Sequence, residues 1–223
     1  MILCLVTDRR RLCSADTFDA VRRSVVEQAR SAVEAGIDLF QIRERDLEAS
    51  DLLALVSDVV QLTRGTTTRV VVNDRLDVAL AAGADGVHLR ADSLPPPGAR
   101  SMGPAGFLVG RSVHRVEEAV RVAPAVDYLI AGTVFSSRSK PDADPLLGVD
   151  GLAAIARAVS VPVLAIGGVS MERIGQIAAT GAAGVAAIGL FVGDRAERNC
   201  HTAPLVDVAE AVRRRFDSMK PAS

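Results

Sequence analysis

Tryptophan is absent from this 223-residue chain and tyrosine occurs once; with only 3% aromatic residues, aliphatic side chains must fill its core. A dominant charge is lacking too. The 26 basic and 27 acidic side chains nearly cancel, so no field over the whole molecule gathers nucleic acid or an anionic membrane. A local site for a small anionic metabolite stays open. The three cysteines, Cys4, Cys13 and Cys200, show no CxxC spacing, and their odd number argues against a disulfide framework. They read as structural or incidental. Cys200 and His201 lack the further ligands of a zinc site, and His201 reads as a surface residue in a polar loop. No apolar run reaches the roughly 18 to 20 residues of a membrane span. The opening Met1 to Val6 carries no basic n-region of a signal peptide, so a cytoplasmic protein is expected.

What the chain does have is apolar residues, 49% of the total, enough to bury one substantial core in a single domain over residues 1–223. Short β-branched runs alternate with longer amphipathic segments. The expected strands are Ile2 to Val6, Leu39 to Ile42, Arg69 to Val72, Gly86 to Leu89, Leu108 to Val109, Tyr128 to Ala131, Pro162 to Ile166 and Gly184 to Ile188. Helical patterns cover Thr17 to Ala35, Ala49 to Thr63, Leu76 to Ala82, Val116 to Ala123, Gly151 to Val159, Met171 to Thr180 and Leu205 to Phe216. The fourth connection, through Leu94 and three prolines to Gly98, allows at most a first helical turn before a short segment. Gly36, Gly83 and Gly181 recur just before strands, where glycine supplies the left-handed residue at a helix end. Strands apolar on both faces and alternating with helices belong to a parallel sheet. Eight such units predict a closed (β/α)8 TIM barrel. The alternative, an open doubly wound sheet, lacks a Gly-x-Gly-x-x-Gly after the first strand.

In such a barrel the carboxyl ends of the strands carry the chemistry. Loops seven and eight, with Gly167, Gly168, Ile188 and Gly189, fit a phosphate cradle of backbone amides, although glycines also merely turn chains. Gln41 and Arg43 share one face of their strand, with Arg45 beyond. The Arg43 fork suits a phosphate or carboxylate; the bland alternative is a buried ion pair with Glu44 or Asp8. Asn73 and Asp74 could hold Mg2+ through oxygen, or Asp74 could cap the next helix. Arg111, Ser112 and His114 follow the fifth strand, and His114 is the sharpest candidate for proton transfer, against a histidine merely bonded to a backbone carbonyl. His88, inside its strand, reads as structural. Ser137, Ser139 and Lys140 lie in a long polar loop, residues 136–146, of a length that suggests a flap closing on ligand.

In this order, Thr7-Asp8, Gln41 to Arg45, Asn73 to Arg75, Gly83 to Leu89, Gly110 to His114, Asp127-Tyr128, Gly132 to Phe135, Lys140 and Ala165 to Gly168 resemble the thiamine phosphate synthase and TenI family along almost the whole chain. The resemblance implies a (β/α)8 barrel acting on a phosphorylated thiazole, a small-molecule partner, with a homodimer as the family's guess. Two activities divide the family. The synthase joins hydroxymethylpyrimidine diphosphate to thiazole phosphate with Mg2+, and its pattern matches here at Gln41, Arg43, Asn73 and Asp74. The family's lysine is Arg45 in this chain, its Gly-Gln pair is Arg90-Ala91, and its metal aspartate falls at Ser93, with Asp92 one position early. Asp74 and Asp92 would share the metal if the chain is a synthase. The TenI branch is a thiazole tautomerase that needs no metal cofactor, and it is similar to this chain in Ile42 to Arg45 and Gly110 to His114. The expectation is therefore a tautomerase with His114 relaying the proton, Arg43 or Arg111 on the carboxylate and the phosphate near Gly167, Gly168 and Gly189. The Mg2+-dependent synthase is the alternative, and a noncatalytic thiazole-phosphate binder is the third reading.

Overall fold

A computed structural model of the chain describes residues 1–12, 17–136, 146–192 and 204–219. Eight parallel strands close on themselves in chain order: β1 Ile2–Val6, β2 Leu39–Ile42, β3 Arg69–Asn73, β4 Gly86–Leu89, β5 Leu108–Val113, β6 Tyr128–Ala131, β7 Val163–Ala165 and β8 Gly184–Ala187. The helices between them are α1 Arg9–Leu12, α2 Phe18–Glu34, α3 Ala49–Thr63, α4 Leu76–Ala82, α5 Pro96–Met102, α6 Val116–Val122, α7 Gly148–Ala158, α8 Ile174–Ala178, α9 Gly189–Val192 and α10 Leu205–Asp217. This is the expected TIM barrel. No helix of the described residues is long and apolar enough to cross a membrane.

Strand alternation sorts the side chains into two packed layers. Cys4, Val6, Leu39, Val71, Tyr128, Ile130, Leu164 and Ala186 pack inside the barrel. Their outward neighbours, such as Leu3, Leu5, Phe40, Val70, Val72 and Leu129, meet the helices in a second, larger cluster. With so few aromatics the interior is aliphatic, and the single tyrosine fits because a glycine faces it. A Cβ on Gly110 would lie 2.2 Å from the Tyr128 ring.

Several boundaries differ from the sequence reading, and three of the differences have a clear local setting. Strand five runs on to Val113, paired with Ala131, because the glycine that looked like its end is the place the Tyr128 ring requires. The proline-rich segment forms a full short helix, α5, since its prolines occupy the first positions, where no N–H is needed. Helix α7 starts at Gly148, three residues earlier than expected. The glycines expected to end helices do so in the left-handed region, with φ of 63° at Gly36, 66° at Gly83 and 84° at Gly181.

Candidate active site

The barrel opens at the carboxyl ends of its strands into a cavity of about 920 Å3. Its floor is a polar layer inside the barrel. The Gln41 amide donates to Asn73 Oδ1 at 3.1 Å, and the buried Cys4 thiol approaches Gln41 Oε1 at 4.0 Å. Burial pushes that thiol well above its ordinary pKa, so Cys4 stays an unreactive core residue. On the adjacent strand, beside Asn73, His88 Nε2 lies 2.9 Å from Ser112 Oγ and Nδ1 lies 3.3 Å from the Tyr128 hydroxyl. Burial first, and Arg111 second, push the His88 pKa down to about 3. The ring is neutral, one nitrogen donating and the other accepting.

That depression has a consequence for stability. Unfolding returns His88 to an ordinary pKa near 6.5, so the unfolded chain binds the extra proton and this contribution, complete above about pH 6.5, is lost as pH falls toward 3. The expected slope is about 1.4 kcal/mol per pH unit within that window. Urea denaturation of wild type and His88→Gln across pH 3 to 7 checks it; equal pH dependence in the two proteins would rule out a neutral buried His88.

The end of β2 supplies cations. Glu44 faces outward, accepting from Thr7 Oγ1 at 2.6 Å and from the Arg9 amide and guanidinium at 3.0 and 3.1 Å. Thr7 Oγ1 in turn accepts the Arg43 amide at 3.0 Å. Of the two acids that could have neutralised Arg43, Glu44 is thus committed to Arg9, and Asp8 lies 3.5 Å from Arg11 Nε. Arg43 is half-buried in the cavity wall, and its guanidinium makes no hydrogen bond or ion pair with the described residues. Burial, then the charge of Arg45, push its pKa down. A cation so placed is a ready receptor for an anion. Arg45 and Arg90 line the same side.

His114 stands at the end of β5 with Nδ1 bonded to the Gly132 carbonyl, while its amide donates to Glu118 Oε2 at 2.9 Å. A carbonyl can only accept, so Nδ1 carries the proton in the neutral ring. The lone pair is then on Nε2, in a side chain that lines the cavity. The backbone-carbonyl bond of the bland alternative is present, and it fixes the tautomer that leaves the lone pair on the other nitrogen.

Across the barrel, Gly167 and Gly168 adopt φ of 99° and 60°. The N–H groups of Gly167, Gly168, Val169 and Ser170 meet no acceptor among the described residues. Gly189 and Leu190 open α9, where first-turn amides also lack helical partners. Arg173 holds the loop, donating to the Gly168 carbonyl at 2.7 Å with its guanidinium 4.7 Å above the Phe135 ring. The Ser170 hydroxyl is taken by Glu172 at 2.6 Å, so this loop offers amides rather than hydroxyls.

Two expected residues point elsewhere. Arg111 sits on the outward face of β5 and donates to the Leu94 and Ala91 carbonyls at 2.8 and 2.7 Å. It ties down the β4–α5 loop and does not line the cavity. Asp74 is not the helix cap: it has φ of 63°, α4 begins after Arg75, and its carboxylate lies 3.6 Å from Arg90 Nε. Arg90 also grips Asp92 at 3.0 and 2.6 Å, holding that carboxyl below its usual range. Mg2+ requires oxygen ligands at about 2.0–2.1 Å. A pair of carboxylates already closed on a guanidinium does not fit it, and Ser93, whose hydroxyl is buried without a partner among the described residues, adds no charged ligand. Ser137, Ser139 and Lys140 lie outside the described residues.

The sequence reading missed Arg11 as a site residue. It lines the cavity and approaches the β8 loop so closely that a Cβ on Gly189 would come 3.1 Å from its guanidinium. The Arg9-Arg10-Arg11 run after the first strand was the available signal.

A family model described as thiamine monophosphate synthase, TMP-TENI, matches residues 3–191. The chain belongs to this family of thiamine biosynthesis. A thiamine-phosphate synthase of Methanoculleus marisnigri is 43% identical over 173 residues, spanning 77% of this chain and 82% of its own. That of Roseiflexus castenholzii is 39% identical over 210 residues, spanning 93% and 88%. The structure of thiamine phosphate pyrophosphorylase from Pyrococcus furiosus matches with a TM-score of 0.79 at 30% identity, covering 98% of this chain and 96% of that one. A 3-hexulose-6-phosphate synthase, at 20% identity and a TM-score of 0.64, shares the fold alone. These named family members are synthases, and the expected leaning toward TenI has no counterpart among them.

Proposed function

We propose that this chain is a thiamine-phosphate synthase, joining hydroxymethylpyrimidine diphosphate to thiazole phosphate. The observation that carries the reading is a single cavity with two separate anion receptors. Amides of the β7 and β8 loops, with Arg11, form one; Arg43, Arg45 and Arg90, from the ends of β2 and β4, form the other. β3, between those two strands, stands four positions from β7 in a closed ring of eight, so the β7 loop faces the arginines across the mouth. Two phosphorylated substrates need two receptors. With the thiazole phosphate on the amides and the diphosphate against the arginines, the thiazole nitrogen lone pair forms a bond to the pyrimidine methylene carbon. The C–O bond breaks, and its electron pair leaves on the diphosphate. Fixed cations stabilise the charge that gathers there. Purified protein given both substrates should release thiamine phosphate and pyrophosphate in equal amounts, and neither product would form if the reading is wrong.

The fixed tautomer of His114 favours a second reading, thiazole tautomerisation with Nε2 carrying the proton. The two part at one variant. His114→Ala should lower an isomerisation rate by about 10²- to 10⁴-fold, the usual worth of a general base, yet leave thiamine phosphate formation within roughly tenfold of wild type. Assay of both reactions with both proteins decides between them.

A further inference from the structure

We propose that Arg90 is a built-in counter-cation, occupying the space between Asp74 and Asp92 and receiving the second anionic group of the cavity directly, without a divalent metal. The identity of that group as a diphosphate rests on the synthase reading; the occupancy of the carboxylate pair does not. Asp74 leaves the end of β3 and Asp92 lies in the loop after β4, so the two acids come from different strands and converge on one guanidinium. Arg90 binds Asp92 through two nitrogens at 3.0 and 2.6 Å and turns Nε toward Asp74 at 3.6 Å.

Neither acid owes its place to Arg90 alone. Asp74 is held in the left-handed conformation while its amide donates to the His88 carbonyl at 2.9 Å. Asp92 is bracketed by the Arg111 bonds to Ala91 and Leu94, at 2.7 and 2.8 Å. Backbone contacts therefore hold both loops, and the chain itself supplies a cation that reaches both carboxylates. A divalent ion there would have to displace a bidentate pair and then sit beside the displaced guanidinium, a like charge. Arg43 and Arg45 stand in the same wall. With Nε and one N–H of Nη2 given to Asp92, the Nη1–Nη2 edge of the Arg90 guanidinium is the fork that matches phosphate oxygens, and the side chain lines the cavity.

The test uses the full chain, Mn2+ as the metal probe and inorganic pyrophosphate as the anion. Wild type should bind pyrophosphate calorimetrically in EDTA, and Arg90→Gly should weaken that binding by roughly tenfold or more. Electron paramagnetic resonance should find Mn2+ binding at least about tenfold tighter in Arg90→Gly than in wild type, and lost again when Asp74→Asn is added. Arg90→Gln, which keeps the side chain's length, guards against a folding defect and should match the glycine variant for pyrophosphate. One tightly bound Mn2+ in wild type, released by Asp74→Asn, would overturn the proposal, as would pyrophosphate binding in EDTA that ignores Arg90. If the binding results are as expected but no thiamine phosphate forms, the counter-cation stands and the synthase reading falls.

Discussion

Arg43→Met should lower kcat/KM for thiamine phosphate formation by about a hundredfold while leaving the protein as stable as before, or more so. Most active-site arginines are braced by an acid, and removing them leaves that acid unpaired. Here one candidate, Glu44, is already satisfied by Thr7 and Arg9, the other, Asp8, has Arg11 at 3.5 Å, and Arg43 bears a burial penalty that depresses its pKa. Methionine keeps much of the volume and removes the penalty, a trade between stability and function. The loss in rate follows from one bidentate contact to a phosphate, where hydrogen bonds to charged groups contribute about 1.5–3 kcal/mol and 1.4 kcal/mol is tenfold. Thermal unfolding beside steady-state kinetics checks both halves. A variant of normal activity, or one that melts well below wild type, would show that Arg43 serves the fold rather than a ligand.

Gly167→Ala should raise KM for thiazole phosphate by roughly tenfold or more and lower the melting temperature by several degrees. Its φ of 99° is rare for any residue with a side chain, and backbone strain of this kind costs about 1–3 kcal/mol. In addition, the new methyl group would lie 2.4 Å from Thr133 Cγ2 and 3.0 Å from Thr133 Cα. The Gly167 carbonyl accepts the Phe135 amide at 3.1 Å, so relief of the clash must move the β6 and β7 loops together and carry the amides of Gly168 to Ser170 with them. Gly181→Ala separates strain from geometry. Its φ is 84° with open space around the position, so it should lose stability with KM unchanged. Equal effects on KM from both substitutions would mean that the β7 loop holds no phosphate.

The barrel was readable because its signals are local. An apolar run of four or five residues, a helical repeat and a glycine before the next strand are all short-range patterns, and all eight strands were found from them. The errors share a cause as well. Ending strand five at Val109 treated Gly110 as a breaker, when the glycine answers Tyr128, its cross-strand partner. Once the strand continues, alternation turns Gly110 and Ser112 inward and Arg111 outward, so the misplacement of Arg111 followed from that single boundary. Asp74 looked like a helix cap because capping residues commonly precede helices; its left-handed backbone and its contact with Arg90, sixteen residues on, are invisible in a run of letters.

Composition and periodicity alone were therefore enough for the architecture, for the absence of a global charge field and for the strand ends where polar residues gather. Charge pairing was beyond them, because Coulomb attraction depends on distances between residues far apart in the chain. Closure of β8 on β1 brings Arg11 beside Gly189, and the Thr7–Glu44–Arg9 network leaves Arg43 without an ion-pair partner among the described residues. The meeting of Arg90 with two aspartates turns a presumptive metal pair into a closed ion cluster. Which cations remain free for a ligand is a property of the folded barrel, since only folding decides which acid each arginine reaches first.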